Sequence, residues 1–302
     1  MTRTGDRLFD RWGSFPKSTW PFQVFQRYQF EFDHGYFAHR DTARTVYRYL
    51  KNSGAQWTDA PNKFMPSPTK SNLFTSLKQW SDAHNQFENW INLNIVVSIT
   101  SNIETYLATI VSLAVSSDPG ILLGQSRLVD GVRFLLQPRK DLAPVINDHV
   151  MGITKGDWSS RIANFKKLFG QVPPYVDDHI AELDDARHIR NRMGHAFGRD
   201  IEASRDHTTK TILPMEKISD RRLVKLQRII RKSAKEIDKF LLTQHIGEYQ
   251  AIAFYHRLLP SLAPTLNHTM RAKTLKKELG KSGVENRGKE FCKGLVSYYE
   301  SL

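Results

Sequence analysis

The chain has 302 residues, 40% of them hydrophobic and 25% charged, which is enough apolar material for one large core or two modest ones and too much for a disordered tail. A single cysteine, Cys292, excludes an intrachain disulfide framework and any multi-cysteine zinc or iron–sulfur site, and it reads as structural or inert. The opening residues MTRTGDRLFDRWG carry acids and no apolar segment, so a secretory signal is not expected. The most apolar stretch, Ile95 to Val115, is interrupted by Ser98, Thr100, Asn102 and Glu104 and reads as too polar for a membrane span. The expectation is a soluble, cytoplasmic protein with no membrane partner.

Formal net charge is +13, and Ser219–Leu302 alone holds 17 basic against 8 acidic residues. Such asymmetry suggests a polyanionic partner, nucleic acid first, unless the charge is only a solvated face.

The first 57 residues are aromatic-rich, from Trp12 and Phe15 through Trp20 and Phe22 to Tyr36 and Phe37. In FQVFQRYQFEF, Phe22, Tyr28, Phe30 and Phe32 share even positions and Phe25 does not, which fits a short strand or an irregular aromatic wrap. Residues 53–72 gather Gly, Pro, Ser and Asn and predict a loop. From Ser71 the pattern turns helical: Leu73, Leu77, Trp80, Phe87 and Ile91 lie near one stripe that continues through Ile95, Ile99, Ile103, Tyr106, Leu107, Ile110 and Leu113 to Asp118-Pro119-Gly120.

A third helix is expected over Gln125–Gln137. Asp157 should cap another that stops at Gly170. Pro173-Pro174 should open a helix running from Tyr175 towards Gly194, and Ser219 should cap the last long helix, with Leu223, Leu226, Ile230, Ile237 and Leu241 on its apolar side. The basic stretch Arg271–Lys293 could grip phosphates or be a solvated end. The chain contains no internal repeat and no glycine-rich phosphate loop. The predicted class is all-α, with at most a strand or two near the N-terminus.

Chemistry concentrates in Asp184–Phe197, DDARHIRNRMGHAF. Arg190 offers a planar fork of donors to a phosphate, Asn191 can orient a hydroxyl or phosphate oxygen, and His195 can move a proton near neutrality. These groups suit metal-free phosphodiester cleavage, with His195 exchanging a proton with a ribose 2′-hydroxyl or the leaving oxygen and Arg190 stabilising charge on phosphorus. A symmetric dimer would supply a second histidine for the other proton transfer. On a straight helix, however, five residues separate Arg190 and His195 by about 140°. They converge only if the helix ends or bends near Gly194, or if the arginine reaches round.

Arg190-Asn191 followed by His195 on a late helix resembles the R-N-x-x-x-H motif of the HEPN superfamily, and SNIETYLATIV and GDWSSRIANFKKLFG are similar to its other helices. The resemblance covers about Ser71 to Leu242. It implies a HEPN-like helical bundle at 71–242, flanked by an aromatic-rich N-terminal extension at 1–70 and a basic C-terminal segment at 243–302. It further implies a homodimeric, metal-independent endoribonuclease of toxin or anti-phage defence type, acting on tRNA or mRNA without a cofactor and leaving 2′,3′-cyclic phosphates. On that pattern Arg190, Asn191 and His195 are catalytic and Glu104 faces the cleft. Arg187, Arg192, Arg222 and Lys225 are the candidate RNA contacts. An antitoxin or defence partner is implied too, although Phe197 stands where toxins silenced by nucleotidyltransferases carry a tyrosine.

Two rival readings come from the residues themselves. Asp184, His188, Asn191 and His195 fall on one helical stripe and could bind a metal with help from Asp148, His149 or His179, giving a metal-dependent hydrolase. A helical module that holds nucleic acid or protein without cutting is the other.

Overall fold

A computed structural model describes residues 8–14, 16–65, 73–137, 143–208, 210–281 and 287–302. Every regular element among them is helical. The chain divides into two compact units: residues 1–25, 103–180 and 231–302 form the first, and residues 26–102 and 181–230 the second. The stretch 1–70 is thus divided between the two units after Phe25, and the basic C-terminal segment lies in the first.

The N-terminal aromatic stretch is neither a strand nor a wrap. Helix α1 spans Trp20–Asn52. Phe22, Gln29, Tyr36, Ala43 and Leu50 are all buried and recur every seventh residue, with Phe25 beside them. A seven-residue recurrence is a helical seam. The even-position alternation is incidental, because Tyr28 and Phe30 are exposed. Residues 53–65 are turns around a short 3-10 segment at Pro61–Lys63, and the rest of the expected loop, with Ser71, lies outside the described residues.

Helix α2 runs Leu77–Ser117. Of the expected stripe, Leu77, Ile95, Ile99, Ile103, Tyr106, Leu107 and Ile110 are buried, whereas Leu73 and Phe87 are exposed. A stretch of α2 is apolar and long enough to cross a membrane by length and composition, with mean hydropathy 1.3, and 50% of it is buried inside the protein. The polar interruptions noted in the sequence thus leave the helix apolar enough by composition, contrary to the sequence expectation.

In the first unit, α3 (Val132–Leu136), α4 (Ala143–Thr154), α5 (Trp158–Phe169), α6 (Pro174–Asp177), α10 (Tyr249–Leu258), α11 (His268–Lys281) and α12 (Lys289–Glu300) join the C-terminal part of α2. Asp157 caps α5, accepting from the Ser160 N–H at 2.7 Å, and Gly170 ends it at φ 79°. The third helix is shorter than expected. Asp118 accepts from the Arg127 N–H at 2.7 Å and Ser126 Oγ at 2.6 Å, and Arg127 takes φ 64°, so regular helix begins only at Val132.

Arg11 fastens the N-terminal segment of this unit. It donates to Asp130, to the Ile246 carbonyl at 2.9 Å and to the Ser117 carbonyl at 3.0 Å, while its guanidinium lies 4.0 Å from the Trp12 ring centre. Tyr298 of α12 donates to the same Asp130 carboxylate. Deeper in the unit, Asp238 accepts from the hydroxyl and N–H of Thr19 and from Tyr106. Burial pushes its carboxyl up to about 6 despite those donors.

The second unit holds α7 (Ile180–Ala196, from Ala181 onward), α8 (Ile201–Arg205) and the first half of α9 (Asp220–Leu241), with residues 26–52 of α1 and 77–102 of α2. The expected helix from Tyr175 is thus split into α6 and α7, with tight turn bonds from the Asp178 and His179 N–H groups between them. Ser219 caps α9 through the Arg222 N–H at 3.2 Å. At that helix start Asp220 receives Arg40, Tyr36 and Asn92, which ties α1 and α2 to α9. An acid in the first turn also complements the helix dipole.

Candidate functional site: the exposed face of α7

Helix α7 forms because Leu183, Ala186, Ile189, Met193 and Ala196 make one buried stripe. The helix is continuous through Gly194 and ends beyond the histidine, at Phe197 (φ 53°) and Gly198 (φ 77°). No bend at Gly194 brings Arg190 and His195 together, so within one chain they stay about 140° apart round the helix. His195 is exposed and has no hydrogen bond to another described residue. Arg190 is half-buried and donates from Nη1 to Asn191 Oδ1 at 3.0 Å, which fixes the two neighbours to each other.

Glu104 lies in the part of α2 that belongs to the first unit, and the motif lies in the second. It receives Arg161 Nη2 at 2.9 Å, with Arg161 itself buried. A carboxylate held by a buried guanidinium is engaged in structure.

The candidate RNA contacts are all ion-paired. Arg187 Nε meets Asp184 Oδ1 at 2.7 Å, Arg192 meets Glu216 at 2.6 Å, Arg222 meets Asp185 at 2.5 Å and Glu216 at 3.3 Å, and Lys225 meets Glu182 at 3.1 Å. The Asp185 hydrogen bond outweighs partial burial and raises the Arg222 pKa above its usual value. Each cation is therefore partly neutralised, and Arg192 and Arg222 share one acid that the sequence does not single out. Glu216 is positioned by its backbone: its N–H donates to the Gly198 carbonyl at 2.7 Å, and its carbonyl accepts from Asn89 Nδ2 at 2.8 Å. A side chain at Gly198 would put its Cβ 2.7 Å from Met193 Sδ, so this close return requires glycine.

Two members of the metal stripe, Asp184 and His188, are engaged by one arginine. Arg187 joins Asp184 and also lies 2.8 Å from His188 Nε2. Of the suggested extra ligands, Asp148, His149 and His179 lie in the first unit, and His179 stacks on Tyr175 with ring centres 4.0 Å apart. Among the described residues no group of three or more His, Cys, Asp or Glu side chains is placed to hold a metal ion. Cys292 is fully buried, and burial pushes its thiol up to about 11, well away from a nucleophilic thiolate.

Compared with protein-family models, curated proteins and solved structures, the chain matches none.

Proposed function

We propose that this all-α chain is a HEPN-like, metal-independent endoribonuclease that acts as a homodimer in a prokaryotic toxin or defence setting. The observation that carries the reading is the exposed imidazole of His195, uncommitted to any described residue and on the same helix as an Arg190 fixed by Asn191. An exposed imidazole is the side chain best suited to general acid–base work.

In the proposed reaction His195 accepts the ribose 2′-hydroxyl proton and the 2′-oxygen attacks phosphorus. The bond from phosphorus to the 5′-oxygen breaks, leaving a 2′,3′-cyclic phosphate and a 5′-hydroxyl. The leaving oxygen takes a proton from the same histidine of a second copy, since one helix spreads its own motif over two faces. Arg190 stabilises the charge gathering on the phosphoryl oxygens. The toxin or defence setting, and any antitoxin partner, rest on the motif resemblance alone.

A second reading is favoured by the pairing of Arg187, Arg192, Arg222 and Lys225 with acids and of Glu104 with Arg161. These contacts suit a scaffold that binds without cutting.

Incubation of tRNA and total RNA in EDTA with wild type and His195→Ala separates the two. Cutting by wild type alone, with cyclic phosphate ends, is expected of the nuclease. Binding that survives His195→Ala, with no turnover by wild type, belongs to the module.

A further inference from the structure

Among the described residues two that are not glycine take a positive φ, Arg127 at 64° and Phe197 at 53°. Left-handed backbone is unfavourable for a side chain with a Cβ, and bulky residues rarely adopt it. Elsewhere the chain meets this demand with glycine, as at Gly170, where α5 ends at φ 79°. Arg127 has a visible compensation: its guanidinium reaches the Thr243 and Gln244 carbonyls at 2.6 and 3.0 Å and lies over Trp12. Phe197 has none. It is 72% exposed, and its ring meets no aromatic or cationic partner among the described residues.

The turn beneath that ring is fixed. Gly198 donates its N–H to the Arg192 carbonyl at 3.0 Å and accepts from Glu216, and Arg199 Nη1 bonds the Phe197 carbonyl at 3.1 Å. An aromatic ring is thus held in solvent, on a rigid turn, two residues from the exposed His195. Glycine would make the same turn without strain, so the ring serves neither the cap nor the core.

We infer that Phe197 is a stacking platform for an unpaired nucleobase, and that the substrate at this face is single-stranded RNA. The inference rests on the ribonuclease reading of the same helix end. A flat apolar face takes any base, so stacking supplies affinity with little sequence preference and sets the base beside the phosphate that His195 addresses. Arg205 and Lys210, exposed on the segment that follows, supply charge for the backbone.

The test uses His195→Ala protein, in which cutting is expected to be suppressed, and a fluorescently labelled oligoadenylate. A matched strand of abasic sugars serves as its control. Adding Phe197→Gly should weaken oligoadenylate binding by about five- to a hundred-fold, the range for loss of one aromatic–base stack. Phe197→Trp should retain binding, and the abasic strand should bind all variants alike. Phe197→Gly should melt no lower than its parent, because glycine relieves the backbone. Equal oligoadenylate affinity with and without the ring would overturn the inference while leaving the nuclease reading intact. A shift from dimer to monomer on Phe197→Gly would overturn it in favour of a contact between copies. If His195→Ala binds no RNA and wild type cuts none, the ribonuclease reading fails and the stacking proposal with it.

Discussion

Glu216 Oε2 lies 2.6 Å from Arg192 Nη2, and it does so from a segment whose backbone is anchored to Gly198. The same carboxylate reaches Arg222 of α9 at 3.3 Å, so one acid joins the motif helix to the next long helix. Glu216→Gln should lower stability by about 1 kcal/mol, since both arginines keep solvent access and the pairs are screened. A thermal melt should show a drop of about 2–4 °C. Arg222 stays held by Asp185, so the change frees Arg192, which should steepen the salt dependence of any RNA binding by about 0.7 in log–log slope for one new phosphate contact on a single strand. An unchanged slope would mean that Arg192 does not face the nucleic acid.

His195→Ala and Arg190→Ala separate chemistry from folding. The histidine is exposed, so its truncation should leave the melting temperature within about 1 °C, as surface changes do. Cleavage should fall by about a hundred-fold or more with either variant. Arg190→Lys should not rescue, because a lysine cannot reproduce the planar fork. Initial rates on a defined single-stranded RNA in EDTA provide the check.

Asp238 makes stability depend on pH in an unusual direction. Its carboxyl is held at about 6 against an ordinary value of 3.8, so between those values the folded chain binds more protons than the unfolded one. This contribution is fully present below about pH 4 and is lost as pH rises through about 6, a change of the order of 3 kcal/mol. Urea titrations at pH 4, 5, 6 and 7 should show wild type losing stability relative to Asp238→Asn over that span. A constant difference between the two proteins would refute the assignment.

Arg11→Ala removes a buried guanidinium and leaves Asp130, Ser117 and the Ile246 carbonyl without its donors. Losing one partner of a buried charged pair costs about 3–5 kcal/mol. The denaturation midpoint should fall accordingly, and Arg11→Lys should recover only part of it, because no ammonium spans those acceptors at once.

Local signals in the sequence are enough to locate several helix ends. Asp157 and Ser219 cap the helices they precede, and Gly170 stops α5, because a cap needs only a short side chain and the next turn of backbone. The seam of α1 is hidden because its seventh residues include Gln29 and Ala43, which an apolar count passes over, while adjacent exposed aromatics imitate a strand. Length misled at Gln125–Gln137, where Asp118, a residue outside the segment, captures the Ser126 hydroxyl and the Arg127 N–H.

For the candidate site, the motif residues are legible by type and spacing, and their pairings are not. Glu104 reads as an acid on a helix face, and only the fold assigns it Arg161, 57 positions later. Nor does anything in RNRMGHAFG announce that Phe197 is left outside the core.

The Arg11 fastening also sets a timetable for folding. Its acceptors come from residues 117, 130 and 246, and Tyr298 completes the Asp130 contact. A chain emerging from the ribosome exposes its aromatic N-terminus long before α12 exists to complete the unit that holds it. The second unit, whose last residue is 230, has all its pieces earlier. Synthesis therefore delivers α7 with its exposed histidine before the first unit can close, and a nascent chain stalled between those points would carry the motif on a half-assembled protein.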